Sequence, residues 1–366
     1  MAIRPRYIVI ALIVVIVVVL VYFLFLRKAP VLTAVTWSGS YGRAQASALF
    51  LPYGQKTGVN VHIAQYDGGL DELRKQVADK KYAWDVVDLE LPDAVAACRE
   101  GLLEHVDVTK LSTGENGEPA ASDFVQNAIG PCWVGSVVYS QLIAYAPTRF
   151  GGAHPITLSD FFDMARFPGP RAMKSSSAKF NLELALLADG VAPQDIYHAL
   201  STEQGVARAL AKLNTIRSSI VWWTRSTEPA AMLQDGRAAF ATILNGDIYD
   251  AAVHHRGMGT IWDRQLYELD VFGVPKNDPK RDMAMDFMRF ATSASNLAGV
   301  ADWVPYGPAR RSAVKLVGKN PELGIAMRGF LPTAPEHFGT AFAVDDRWWQ
   351  ANGSRIAPLW EAWVNR

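Results

Sequence analysis

The chain is poor in the features that mark most enzymes and nucleic-acid binders. Its 366 residues hold only two cysteines, Cys98 and Cys132, and 36 basic residues balance 36 acidic ones, for a formal net charge of zero. A neutral chain has no electrostatic footprint for nucleic acid. Neither cysteine belongs to a C-x-x-C pair, and no histidines have H-E-x-x-H spacing, so metal and redox chemistry lack support and no cofactor is expected. His254-His255 lies in a polar stretch and reads as a solvated pair. There is no G-x-S-x-G, no phosphate-cradling glycine loop and no nucleophile with a paired base, which argues against an enzyme. No internal repeat of solenoid period is present, and the only loose segment is Thr113 to Ser122.

What the chain does have is an unbroken apolar run from Ile8 to Leu26, entered through Arg4 and Arg6 and closed by Arg27 and Lys28. As a helix rising ~1.5 Å per residue, it comes close to the ~30 Å hydrocarbon thickness of a bilayer. A cleavable signal has an apolar core of ~7–15 residues and then small residues. Here the run ends in Tyr22, Phe23, Phe25 and Leu26, so residues 1–30 read as an uncleaved transmembrane anchor. The short N-terminus is expected inside, with the rest exported to the periplasm. In that oxidising compartment the two cysteines have two readings, a disulfide and a pair of separately buried thiols, and the compartment favours the bridge.

From Pro30 to Arg366 the chain exceeds the ~250–300 residues at which single cores stop growing, so two lobes are expected. Leu32 to Trp37 and the alternation Val59, Val61, Ile63 read as strands. A helix from Tyr41 to about Gln55 lies between them and closes at Thr57-Gly58. The pattern recurs with a helix at Leu70–Lys80, a strand at Asp85–Leu89 and a helix from Pro92 to Gly101. Strands alternating with helices predict an α/β fold, its sheet mainly parallel and covered on both faces. After the strand Val137–Ala144 comes a turn-rich joint at Pro147, Gly151, Gly152 and Pro155. Ala238–Ile243 is expected as a strand, Asn245-Gly246 as a turn and Asp247 as a helix cap; Tyr267–Pro275 would then carry the chain back. This gives a first lobe of 31–144 plus 270–314 and a second of 145–269 plus 315–366.

Several short pieces together resemble a known family. They are Thr36-Trp37-Ser38 with Tyr41; Lys56-Thr57-Gly58-Val59-Asn60-Val61; Ala83-Trp84-Asp85-Val86-Val87; and Arg99-Glu100-Gly101-Leu102-Leu103. Further along come Asn245-Gly246-Asp247, Leu269-Asp270 with Val274-Pro275, and Pro305-Tyr306-Gly307-Pro308. In this order and spacing the chain resembles the extracytoplasmic solute-binding proteins of ABC importers, in particular the spermidine/putrescine-binding branch. The resemblance implies a type II periplasmic-binding-protein fold, two α/β lobes with two hinge crossings that close on a ligand. It also implies a monomer that delivers a small cationic amine to permease and ATPase subunits.

A polyamine needs carboxylates for its ammonium groups and aromatic walls for its methylenes. Charge-assisted hydrogen bonds contribute ~1.5–3 kcal/mol and cation–π contacts ~0.5–2 kcal/mol. The resemblance assigns amine contacts to Asp247 and Asp270. An alternative for Asp247 is simple helix capping. A carboxylate in the apolar run from Leu269 to Val274 is costly to bury unpaired, so Asp270 needs an internal cation or a cationic ligand. Trp37 stands at a strand's carboxyl end, where open α/β sheets bind ligands, and Ser38, Tyr41, Tyr306 and Gln350 complete the implied site. Of Trp222 and Trp223, which face opposite sides of a strand, at most one lines a cleft. Ser175-Ser176-Ser177-Ala178-Lys179-Phe180 departs from the acidic pattern of spermidine receptors. Glu268, on the same strand face as Asp270, is the opposite change. A tethered amine sensor and a receptor for a different small solute are the rival readings.

Overall fold

The computed structural model describes residues 12–18, 29–65 and 67–366. Residues 12–18 are helical, while the rest of the expected anchor lies outside the described residues. Among the described residues, no helix is long and apolar enough to cross a membrane.

Ten strands share one sheet: β1 (Val31–Thr36), β2 (Asn60–Gln65), β3 (Val86–Glu90), β4 (Val134–Tyr145), β5 (Arg171–Lys174), β6 (Ile220–Trp223), β7 (Phe240–Leu244), β8 (Gly259–Gly273), β9 (Gly307–Pro308) and β10 (Phe342–Ala343). The main order is β2-β1-β3-β8-β4-β7-β5-β6. The outer strands pair in parallel, β2 and β3 with β1 at one end and β6 and β7 with β5 at the other. The two long central strands β4 and β8 run antiparallel through both halves, from the Val134↔Phe272 pair to Tyr145↔Gly259. At ~3.4 Å per residue, the 15 residues of β8 reach ~50 Å, enough to belong to two cores at once. These strands are the two expected hinge crossings. Register breaks between Gly135 and Val137 and between Gln141 and Ile143 bend their ladder. At Gly135 a β-carbon would fall 2.8 Å from that of Ala128 and 2.9 Å from that of Ala309, so the first bulge requires glycine.

One core gathers Leu32, Phe50, Val87, Trp133, Phe272 and Phe287; the other gathers Phe161, Leu182, Phe240, Leu266, Trp360 and Trp363. The helix after β1 runs unbroken from Gly39 to Thr57 through a π-helical stretch at Ala46–Phe50, and Gly58 ends it at φ 73°. Residues 315–341, expected with the second lobe, serve both. Leu331 and Ala334 cluster with Ala301 and Val314, and Phe338 and Ala341 pack against the first core. In the other direction, Gln265 Nε2 donates to the carbonyls of Pro332 and His337, and the Trp262 indole stacks on His337 at 4.1 Å. On packing, the chain rejoins the second lobe at Phe342, where β10 pairs with Leu266 and Tyr267.

Cys98 and Cys132 are joined in a disulfide with a Cα separation of 5.7 Å. It ties the helix Leu91–Arg99 to the segment entering β4. Closing a loop of this size contributes about 3–4 kcal/mol in a chain-entropy treatment.

Candidate functional site

The carboxyl ends of β1 and β3 in one lobe and of β5, β6 and β7 in the other meet beside the central pair, the position where α/β sheets hold ligands. The register there is unusual. Glu90 on β3 lies directly opposite Asp270 on β8, a like-charge pair that sheets ordinarily avoid. Asp88, two residues before Glu90, is fully buried, and Asp270 is 6% exposed. Tyr139 on β4 faces Glu268 on β8.

Asp270 receives no hydrogen bond and no counter-ion among the described residues. Burial pushes its carboxyl well above the ordinary range, and Asp88, Glu90 and Glu268 add repulsion. Asp88 is also raised by burial, although Gln45 Nε2 donates to it at 2.6 Å. The rest of that amide is committed. It donates to the Tyr41 hydroxyl at 2.9 Å, and its oxygen accepts from Thr36. The Tyr41 ring meets the Tyr306 ring edge-on at 5.5 Å, with Tyr139 on the other side at 6.4 Å. Tyr306 is pushed up to about 12 by burial and then by the charges of Asp270 and Asp247.

A cavity of about 330 Å³ opens here, lined by Ser40, Tyr139, Asn245, Asp247, Tyr249 and Tyr306 among others. Asn245 fixes its floor, accepting from the Ser140 amide at 2.9 Å and donating to the Pro305 carbonyl at 2.5 Å. The helix starts at Asn245, so Asp247 lies in its first turn and is not its cap; Leu244 takes that position without a side-chain bond. Asp247 Oδ2 is buried without a partner, and burial, then Asp250, raises its carboxyl to about 6. The capping alternative therefore does not account for this residue.

The structure gathers Asp270, Asp247, Tyr41 and Tyr306 in one neighbourhood. Trp37 is half-buried at the end of β1 and packs over Gly68, whose added β-carbon would lie 3.3 Å from its ring. Ser38 is exposed, and Ser40 lines the cavity in its place. Trp222 packs edge-on against Trp360 and Trp363, and Trp223 is buried on the opposite face. Gln350 stands apart, in a groove with Cys98, Arg99, Trp133 and Arg347, where it donates to the Pro92 carbonyl at 2.5 Å.

Glu268 is not free. The Lys179 ammonium bonds it and also reaches Asp346 at 2.7 Å. Burial opposes the charge on Lys179, yet the two carboxylates hold its ammonium well above the usual range. Sequence reasoning missed Asp88, Tyr139 and Asp346. Asp88 carried the same signal as Asp270, a carboxylate inside an apolar strand; Asp346 carried none. Among the described residues, no group of histidines, cysteines and carboxylates could hold a metal ion.

Residues 48–324 match the bacterial extracellular solute-binding protein family, and the chain belongs to it. It is thus an extracytoplasmic substrate-binding subunit of an ABC importer, and its homologues are non-enzymatic transport components. A gamma-aminobutyric acid-binding protein of Pseudomonas aeruginosa is 32% identical over 335 residues, covering 92% of this chain and 91% of the relative. A GABA receptor of known structure is 28% identical with TM-score 0.71, covering 92% of this chain and 98% of its own. An ABC transporter substrate-binding protein from Bradyrhizobium japonicum is 27% identical with TM-score 0.73, covering 91% and 99%. These relatives support the importer class expected from the sequence without supporting its polyamine branch.

Proposed function

We propose that this subunit captures a small solute carrying a primary ammonium group at one end and a carboxylate at the other, an ω-amino acid of the GABA type. The observation that carries the reading is Asp270, a buried carboxylate near other carboxylates with no counter-ion among the described residues. Such a group is costly unless a ligand neutralises it. Asp247 gives the ammonium a second partner, and Tyr306, Tyr139 and Trp37 wall the methylenes. On the second-lobe side, Lys174 ends β5 and Arg225 follows β6 by two residues. Arg225 is largely exposed and, among the described residues, ion-pairs with Glu228, three residues away; in this reading it takes the ligand carboxylate. The GABA-binding relatives favour such a two-ended solute over the polyamine expected from the sequence.

Calorimetric titration of the full chain with GABA, putrescine, spermidine and glucose tests this. GABA is expected to bind without turnover and more tightly than either polyamine. Tighter binding of putrescine would return the ligand class to diamines, and binding of glucose alone would remove the amine reading.

We further propose that the apolar run from Ile8 to Leu26 holds the binding body at the membrane near its permease, raising its effective concentration there. N-terminal sequencing of the native protein is expected to find a start before Arg4 in the membrane fraction. A start beyond Lys28 with recovery in the soluble fraction would make the segment a cleaved signal.

A further inference from the structure

Lys179 lies in a position that a ligand could otherwise fill. Its ammonium sits between Glu268 and Asp346, and the three side chains are 22%, 8% and 2% exposed. Glu268 and Asp270 are two residues apart on one strand, ~6.7 Å at the rise of a β-strand, the length scale of a four-carbon diamine. Tyr139 on β4 is in register with Glu268 and Glu90 on β3 with Asp270, so these groups cluster along one stretch of β8, with Asp346 brought to it through Lys179. Along that stretch lie two places for a cation. One, at Asp270, has no protein cation; the other, at Glu268 and Asp346, is occupied by the chain itself.

We propose that Lys179 is a specificity-determining residue, a built-in second ammonium that fills the Glu268–Asp346 position and so restricts this receptor to solutes with a single ammonium group. The inference rests on the amine reading of the cleft above. A diamine entering the wild-type site has to bring its second charge against Lys179, where like charges repel at short range in a shielded setting. An ω-amino acid meets no such conflict, because its far end is a carboxylate. Discrimination here works by a repulsive element as much as by attraction.

The test is Lys179→Met, which keeps the chain's length and apolar stem but removes the charge. Putrescine affinity, measured by calorimetry on the full chain, is expected to rise at least tenfold over wild type. The gain should vanish in the double variant Lys179→Met/Glu268→Gln, which removes the carboxylate that the diamine would meet. A folded Lys179→Met protein with unchanged putrescine affinity overturns the proposal, since Lys179 would then serve only to satisfy two buried carboxylates. If Lys179→Met is unfolded alone, thermal unfolding in a large excess of putrescine decides it. Restored cooperative unfolding supports a filled cation position, and no restoration overturns it. The amine reading itself is judged separately, by GABA binding to the wild type.

Discussion

Asp270→Asn is expected to weaken capture of the ammonium-bearing solute by more than tenfold, ~1.4 kcal/mol or more, while making the ligand-free protein more stable. The two effects share one cause. Asp270 is 6% exposed, has no donor among the described residues, and is repelled by Asp88, Glu90 and Glu268. Relieving an unsatisfied buried group of this kind contributes about 1–3 kcal/mol. For a chain this long, each kcal/mol shifts Tm by ~2–4 °C at most. The ligand reverses the balance, because a charge-assisted hydrogen bond to the carboxylate is worth ~1.5–3 kcal/mol and an amide cannot replace it. Calorimetry and thermal unfolding of the same variant at pH 8 check both halves. A variant that loses stability along with affinity would show a carboxylate needed by the fold, and unchanged affinity would remove Asp270 from the ligand site.

The ligand-binding group and the fold differ in how far the sequence reveals them. The two lobes and two crossings were legible because each βαβ unit leaves a local periodic signature, and because Tyr267 to Pro275 reads as one long, largely apolar run. Asp270 was legible for the same reason, as a charge inside that run. The pairing of charges was not. Glu268 reads in sequence as one more acid near Asp270 and Lys179 as a departure from a pattern, yet the two are ion-paired across 89 residues of chain. Only the packing of the second lobe against β8 makes them a unit. Asp247 was found with the wrong local geometry, because Asn245 is held by Ser140 and Pro305 and the helix begins one residue after β7. The family resemblance placed Gln350 in the implied site. In the fold, the helix Asp346–Val364 carries it to Pro92, while Asp346 at its start turns inward to Lys179. The packing of residues 315–341, with β10 joining β8 at Phe342, depends on loop contacts that leave no periodic trace.

Affinity for the ammonium ligand is expected to fall with acidification, by about tenfold between pH 7.5 and pH 5 from Asp247 alone. Burial and then Asp250 raise its carboxyl to about 6, so the free receptor takes up a proton there in this window and presents a neutral group to the ligand. Asp270 and Asp88, also raised, act in the same direction. Of the other groups around the cavity, Tyr306 at about 12 stays protonated throughout. The ligand's ammonium does not titrate there either, so the dependence belongs to the carboxylates. Stability of the empty receptor runs oppositely. A carboxyl whose folded pKa lies above its unfolded value holds the proton more tightly when folded. Its contribution is therefore full at low pH and is lost as pH rises from ~3.8 through about 6. Binding near pH 6 should accordingly release protons, read as a dependence of the calorimetric enthalpy on the ionisation enthalpy of the buffer. A dissociation constant that stays level from pH 7.5 to 5, with no proton release, would mean that Asp247 does not contact the cation.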